Sequence, residues 1–390
     1  MMAHRWTVHA ALPVRYEVQM VDGLFDIDNP ALVEAGCAHH RRDARRLVVI
    51  DANVDRIYGD RIRAYLAHHG VEYLKVVLTI SEAEKTMDSV FRVVQGMDEL
   101  GISRRHEPVI AIGGGVLLDI VGLAASLYRR STPYVRVPTT LIGLVDAGVG
   151  AKTGVNHGAH KNRLGTYFPA KVTLLDPSFL RTLDARHIRN GLAEILKIAL
   201  VKDRALFELL DRHGVSLVEE RMQGVTEDGA RAAAQVIERA ITGMLEELEP
   251  NLWENKLERV VDYGHTFSPT LEMLALPDLL HGEAVNVDMA LTTVLSEQRG
   301  LISARERDRI FALMRKLDLP VHHRLCHPGV LETALADTVR HRDGKQRMPL
   351  AIGVGAACFV NDVQPAELVT AAASLRELSA AGEQREAAYA

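Results

Sequence analysis

The chain has 390 residues, 47% of them hydrophobic and 25% charged, with a formal net charge of -5. That length fits two ordinary domains, and the composition is that of a folded globular protein rather than a disordered one. The acidic balance argues against nucleic acid as a partner, and no membrane span is expected: the longest apolar region, residues 108–127, is interrupted by a run of three glycines and by Asp119.

The first residues mix Arg and His with apolar side chains and lack a long apolar run, so no signal peptide is expected. Cys37, Cys326 and Cys358 are far apart and form no CxxC pair, which fits a reducing, cytoplasmic setting without disulfides. Five β-rich runs predict buried strands: RRLVVID (45–51), YLKVVLT (73–79), PVIAIGG (108–114), YVRVP (134–138) and VTLLD (172–176). Amphipathic segments such as DRIRAYLAHHG and TMDSVFRVVQGMDELG lie between some of them, so residues 1–176 read as an α/β domain with a parallel sheet. From Pro177 the pattern turns to long helical periodicity, and residues 177–390 read as a mostly α-helical domain with a short strand-like return near LAIGVGAACFV. The tail SAAGEQREAAYA is expected to fray, and no internal repeat is present.

Five groups carry chemistry. AIGGGVLLDIVGLAA (111–125) follows a strand and opens a helix, where glycines allow backbone N–H groups to approach a pyrophosphate; a tight structural turn explains it equally well. Asp51, at the end of a strand, suits a ribose hydroxyl or a simple turn. Residues 137–169 gather Thr139, Thr140, Asp146, Lys152, Asn156, Lys161 and Asn162 among glycines, and read as a long loop, either functional and suited to a phosphorylated, hydroxyl-rich ligand or simply a solvated surface loop. Glu194 and Lys197 share one helix face, as an ion pair or a catalytic unit. His265 and His281, sixteen residues apart, together with one carboxylate would make a three-ligand divalent site. Finally, Asp343 and Lys345 in HRDGKQRMP read by default as a solvated charge run.

Taken in order, GGGVLLDIVG, YRRS, PTTLIGLVDAGVGAKTGVN, KNRLGTYF, GLAEILK, DYGHTF, HGEAV and RDGK resemble the dehydroquinate-synthase-like sugar phosphate cyclases over residues 45–360. The resemblance implies a Rossmann-like α/β domain that binds NAD, a helical domain, Zn2+ or Co2+ in the cleft between them, and a homodimer. By that resemblance the metal ligands are Glu194, His265 and His281. Cofactor contacts would come from Asp51, Asn53, Glu82, Lys85, Gly114, Gly115, Asp119, Thr139, Thr140, Asp146, Lys161 and Asn162. Lys152, Asn162, Lys197, Lys345 and Arg130, the last from a partner subunit, would surround the substrate and its phosphate.

The departures suggest the substrate. Where dehydroquinate synthase reads approximately NxGHTFGHAIE, this chain reads DYGHTFSPTLE, so Asp262 replaces an Asn and Pro269 a second histidine. Met244 and Glu258 stand where that enzyme has a Lys and an Arg that help to hold a substrate carboxylate. Losing both cations implies a substrate without the carboxylate, and sedoheptulose 7-phosphate fits. With GVGAK in place of SVGGK and His341 ahead of RDGK, the pattern is similar to the 2-epi-5-epi-valiolone synthase branch of C7-cyclitol biosynthesis. The implied reaction is a phosphate-eliminating cyclisation with transient NAD oxidation, elimination, reduction and an intramolecular aldol step. The alternatives are a sister cyclase making 2-epi-valiolone, desmethyl-4-deoxygadusol or 3-dehydroquinate, a metal-dependent NAD polyol dehydrogenase, or a degenerate binding protein.

Overall fold

The computed structural model describes residues 4–36 and 45–389; Cys37 lies outside them. The first half runs β1 (Glu17–Met20), α1 (Ala31–Glu34), β2 (Arg46–Asp51), α2 (Ala52–His68), β3 (Tyr73–Leu78), α3 (Met87–Leu100), β4 (Val109–Gly113) and α4 (Gly115–Leu127). It continues with β5 (Tyr134–Pro138), β6 (Lys152–His157), β7 (His160–Tyr167) and β8 (Val172–Leu175). Six of these strands form one sheet in the order β1-β8-β5-β4-β2-β3, with every neighbouring pair parallel.

The apolar runs of β2, β4 and β5 suit such a sheet because helices cover both of its faces. Along β2, Leu47 and Val49 join the cluster under α3 and α4, while Val48 and Ile50 join the cluster under α2. That alternation is the two-residue period of a strand read from both sides. Chain order reverses between β2 and β4, so the crevice at their C-terminal ends is a topological switch point, where ligands of open α/β sheets bind. Asp51 and Gly114 sit at that edge.

The structure differs from the sequence expectation in three places. A sixth strand, β1, lies on the sheet edge; its EVQM sequence is short and mostly exposed, so no apolar run marks it. Residues 137–169 are not a loop but a π-helical turn at Gly143–Ala147 followed by the antiparallel hairpin β6–β7 packed on α4. Leu141, Leu144, Val145, Val149 and Val155 are buried there, so interspersed polar and Gly residues concealed a core element. The Ala/Glu-rich tail is helical to Tyr389, consistent with the high helix propensity of those residues.

The second half contains α5 (Ala185–Val201), α6 (Arg204–Glu219), α7 (Glu227–Leu248), α8 (Ser268–Ala275), α9 (His281–Gln298), α10 (Ala304–Lys316) and α11 (Pro328–His341). The short antiparallel hairpin β9 (Met348–Ala351) and β10 (Ala357–Val360) precedes α12 (Pro365–Tyr389). Asp184, Asp203, Thr226 and Ser303 cap α5, α6, α7 and α10 by accepting free N–H groups of the first turns. α9 is buried from Gly282 to Ser296 and runs through the middle of this half, so its apolar residues lie on all sides rather than along one stripe, with Asn286, Asp288, Thr292, Thr293 and Ser296 buried among them. Among the described residues no helix is long and apolar enough to cross a membrane, and Cys326 and Cys358 are unpaired.

Candidate active site and metal centre

α5 and α9 bring three ligating side chains together. Glu194 lies in the second half of α5, His281 is the first residue of α9, and His265 occupies the turn before α8. Their ligand atoms all lie within 4.8 Å of one another. Glu194 Oε1 is 3.3 Å from His281 Nε2 and 3.7 Å from His265 Nε2. Ligands of a tetrahedral zinc, bonded at about 2.0–2.1 Å, stand roughly 3.3 Å apart.

The other nitrogen of each imidazole fixes its orientation. His265 Nδ1 donates to the Tyr263 carbonyl at 3.0 Å, and His281 Nδ1 lies 2.9 Å from Glu272 Oε2. Both Nε2 atoms are thereby turned toward Glu194, in the arrangement that metal-binding histidines adopt. Both Glu194 oxygens are buried; the Lys197 ammonium lies 2.5 Å from Oε2, while Oε1 faces the two imidazole Nε2 atoms. A buried carboxylate with open lone pairs beside two oriented imidazoles is a donor set that suits a divalent cation. Burial, with the adjacent Lys197 charge, lowers the pKa of His265, whereas against burial the Glu272 and Glu194 carboxylates raise that of His281 to about 9, so a cation bound here would displace the His281 proton.

Local packing holds this turn in place. Asp288 on α9 accepts the Phe267 and Ser268 N–H groups at 2.6 and 2.9 Å, satisfying the first donors of α8. Ser268 Oγ donates to the Gly264 carbonyl at 2.6 Å, and Thr338 Oγ1 donates to the Thr266 carbonyl at 2.9 Å. His265 is therefore tied on both sides to α9 and α11.

Glu272 was not identified from the sequence as a functional residue. It is 3% exposed, and it accepts from Lys161 Nζ while facing His281. Lys161 and His281 hold its carboxyl well below the usual range, although burial opposes that shift. A carboxylate seven residues after a metal histidine on the next helix was the available signal. Glu272→Gln is expected to weaken metal affinity about 10–100-fold, the usual loss for such an outer partner. Titration against a competing chelator measures this, and an unchanged affinity would remove Glu272 from the site.

A charged pocket adjoins the cluster. Lys197 is 3% exposed, and the Glu194 and Asp146 carboxylates raise its pKa against the effect of burial. Lys152 pairs with Glu254, Arg259 pairs with both Glu254 and Asp262, and Arg342 Nη2 lies 3.5 Å from Asp262 Oδ2. The Lys152 side chain is 56% exposed to the open cleft, yet crowding by protein atoms and the Arg259 charge push its pKa down to about 8. His341 lines a cavity of about 390 Å³ with His160, Arg163, Asp337 and Arg340. Lys345 lies on the exposed loop after α11.

The remaining sequence-derived positions fall into two networks at the sheet edge. Lys85 Nζ, itself buried, donates to Asp119 at 2.7 Å and to Asn162 Oδ1 at 2.6 Å. Asn156 donates to Glu82 Oε1 at 2.9 Å, with Lys161 Nζ 3.9 Å from the same oxygen. Asp51 accepts from Asn53 N and Val54 N as the cap of α2, so its turn role is realised. Thr139 Oγ1 is buried without a partner, and Thr140 Oγ1 accepts the Gly143 N–H. At Gly114 an added Cβ would lie 3.2 Å from Thr140 Cγ2, and at Gly115 3.1 Å from Ala147 Cβ. No side chain caps α4, so its first N–H groups face a cradle kept open by missing side chains, which fits a dinucleotide pyrophosphate.

Arg130 is not in this assembly. It sits at the far end of α4 in an exposed turn where Arg129, Arg130 and Ser131 all have positive φ. Thirteen residues of helix place it about 20 Å from the glycine turn.

The family model described as 3-dehydroquinate synthase N-terminal matches residues 75–190, and the one described as 3-dehydroquinate synthase C-terminal matches residues 191–341. A 2-epi-5-epi-valiolone synthase from Actinomyces sp is 64% identical over 377 residues, 97% of this chain and 99% of that protein. The solved structure of ValA, a 2-epi-5-epi-valiolone synthase from Streptomyces hygroscopicus subsp. jinggangensis 5008 with NAD+ and Zn2+ bound, is 58% identical. It superposes with a TM-score of 0.91, covering 95% of this chain and 99% of that one. The demethyl-4-deoxygadusol synthase of Trichormus variabilis is more distant, 41% identical over 367 residues, 94% of this chain and 88% of that protein.

The chain belongs to the dehydroquinate synthase family.

Within that family the altered positions now have surroundings. Pro269 is in the first turn of α8, where its missing N–H costs nothing and its fixed φ favours the helix start. Met244 is 4% exposed in the core of the helical half, and Glu258 makes no ion pair among the described residues. The sequence reading counted two lost cations but overlooked Arg259, one residue after Glu258, whose guanidinium reaches the pocket. Charge loss alone therefore does not describe the pocket.

Proposed function

We propose that this protein cyclises sedoheptulose 7-phosphate to 2-epi-5-epi-valiolone with release of phosphate. One observation carries the reading: the chain is far more similar to 2-epi-5-epi-valiolone synthases than to a sister cyclase of the same family. Glu194, His265 and His281 would hold Zn2+ or Co2+, and the crevice between Asp51 and Gly114 would hold NAD. Bound together, these groups supply a reversible hydride acceptor and a Lewis acid for neighbouring hydroxyls.

The chain's own residues supply the rest. Lys152 and Asn162 would receive the phosphate, joined by Lys345 and by Arg130 across a homodimer interface, since Arg130 lies far from the site in its own chain. Lys197, buried beside Glu194, would offset negative charge developing on substrate oxygen. Asp262 would accept from substrate hydroxyls, with His341 lining the mouth. The α/β residues 1–176 would form the cofactor domain and residues 177–390 the metal domain. The unpaired Cys326 and Cys358 are in keeping with a reducing, cytoplasmic setting.

Purified protein incubated with NAD, Zn2+ or Co2+ and sedoheptulose 7-phosphate is expected to release phosphate without net NADH. The carboxylate-bearing substrate of dehydroquinate synthase is expected to be turned over far more slowly. Stoichiometric NADH from the heptulose would mean a dehydrogenase instead, and NMR of the product distinguishes the epimers.

A further inference from the structure

The segment between α7 and α8 places an arginine in the pocket that the family pattern does not foretell. Arg259 is 14% exposed, and its guanidinium is occupied on two edges. Nε and Nη2 grip the two Asp262 oxygens as a fork, with Nε at 3.2 Å, while Nη1 donates to Glu254 Oε1. Glu254 in turn pairs with Lys152 and accepts the Tyr167 hydroxyl at 3.1 Å.

The turn carrying Glu254 is built to aim it inward. Asn251 spans the turn, donating to the Lys256 carbonyl at 2.7 Å and accepting the Lys256 N–H at 3.0 Å. Glu254 itself has φ 53, a left-handed backbone conformation that disfavours a non-glycine residue and persists only where surroundings enforce it. Its carboxylate is 10% exposed and faces two cations. Lys152, Arg259 and Arg342 thus face Glu254 and Asp262: three cations against two carboxylates, with the Nε–Nη2 fork of Arg259 committed to Asp262 and its Nη1 to Glu254.

We propose that Arg259 is the specificity-determining positioning residue of this pocket: clamped by Glu254 and Asp262, it fixes the Asp262 carboxylate as an acceptor for substrate hydroxyls, and the Nε–Nη2 fork that would hold a substrate carboxylate is already filled by Asp262. This rests on the heptulose reading above, in which the substrate carries no carboxylate. The pocket excludes an anionic end by occupying its cation as well as by presenting a fixed negative charge, since a carboxylate entering there would have to displace Asp262 from a bidentate pair.

The test compares wild type with Asp262→Asn, Arg259→Gln, Arg259→Lys and the double variant Asp262→Asn/Arg259→Gln, each checked for thermal unfolding and metal content. Phosphate release from sedoheptulose 7-phosphate gives kcat and KM, and inhibition by the dehydroquinate synthase substrate reports carboxylate affinity. Asp262→Asn frees the fork, so its inhibition constant is expected to fall at least tenfold, the size of one charge-assisted hydrogen bond. That gain is expected to vanish in the double variant. Arg259→Gln is expected to raise KM for the heptulose about tenfold with metal content unchanged; Arg259→Lys, which cannot form the fork, should not restore it. A gain that persists without Arg259, no gain in Asp262→Asn, or an unchanged KM in both folded Arg259 variants would overturn the assignment. Wild type inactive on the heptulose would instead overturn the functional reading beneath it.

Discussion

Glu194→Gln is expected to remove stoichiometric metal and to lower turnover by more than the roughly 10–100-fold that loss of an outer partner costs. Glu194 is the one carboxylate in the three-residue set, and both its oxygens are buried, Oε1 facing the two imidazoles. Glutamine keeps the volume but offers one weaker oxygen and an NH2 group that points donors where a cation would sit. A second effect is separable. The Lys197 ammonium, 3% exposed, loses its nearest anion, and breaking a buried pair from one side costs about 3–5 kcal/mol. Asp146, which also stabilises the Lys197 charge, offsets part of that loss. Metal analysis, turnover and chemical denaturation of the same preparation divide the two effects. Full metal content with full turnover would take Glu194 out of the ligand set.

How far the sequence could be read depended on whether each residue's partner was close in the chain or carried its own pattern. β2, β4 and β5 announced themselves because a strand buried on both faces needs a continuous apolar run. β1 carries no such run because it lies on the edge, and the β6–β7 hairpin was concealed by its glycines and polar residues. Glu194, His265 and His281 were legible through residue type and family order, and the structure brings them together. Glu272 and Glu254 were not, because an acidic residue acquires its role from what faces it: His281 and Lys161 in one case, Lys152 and Arg259 in the other. Arg259 was missed for a related reason. A cation is absent at residue 258, but the side chain of the next residue reaches the pocket, which position-by-position correspondence does not register. The selectivity argued from lost charge is better framed as charge that is present and already paired.

Gly264→Ala is expected to destabilise the protein by about 2–5 kcal/mol and to disturb the metal centre with it. Gly264 has φ +73, a conformation that costs an L-residue about 1–2 kcal/mol. Its added Cβ would stand 2.8 Å from Met289 Cγ and 2.9 Å from Val285 Cγ1, both on the buried α9, where overpacking adds about 1–3 kcal/mol. The clash cannot be relieved by moving the turn away. His265 follows immediately, Ser268 Oγ holds the Gly264 carbonyl, and Asp288 holds the next N–H groups, so any shift pulls His265 Nε2 from Glu194. The denaturation midpoint should therefore fall and metal affinity weaken in the same variant, whereas Gly300→Ala, at a positive φ of +70 with open space around its Cβ, should show only the backbone cost. If Gly264→Ala matched Gly300→Ala in stability and metal affinity, close packing of the GHTF turn on α9 would not be what positions His265.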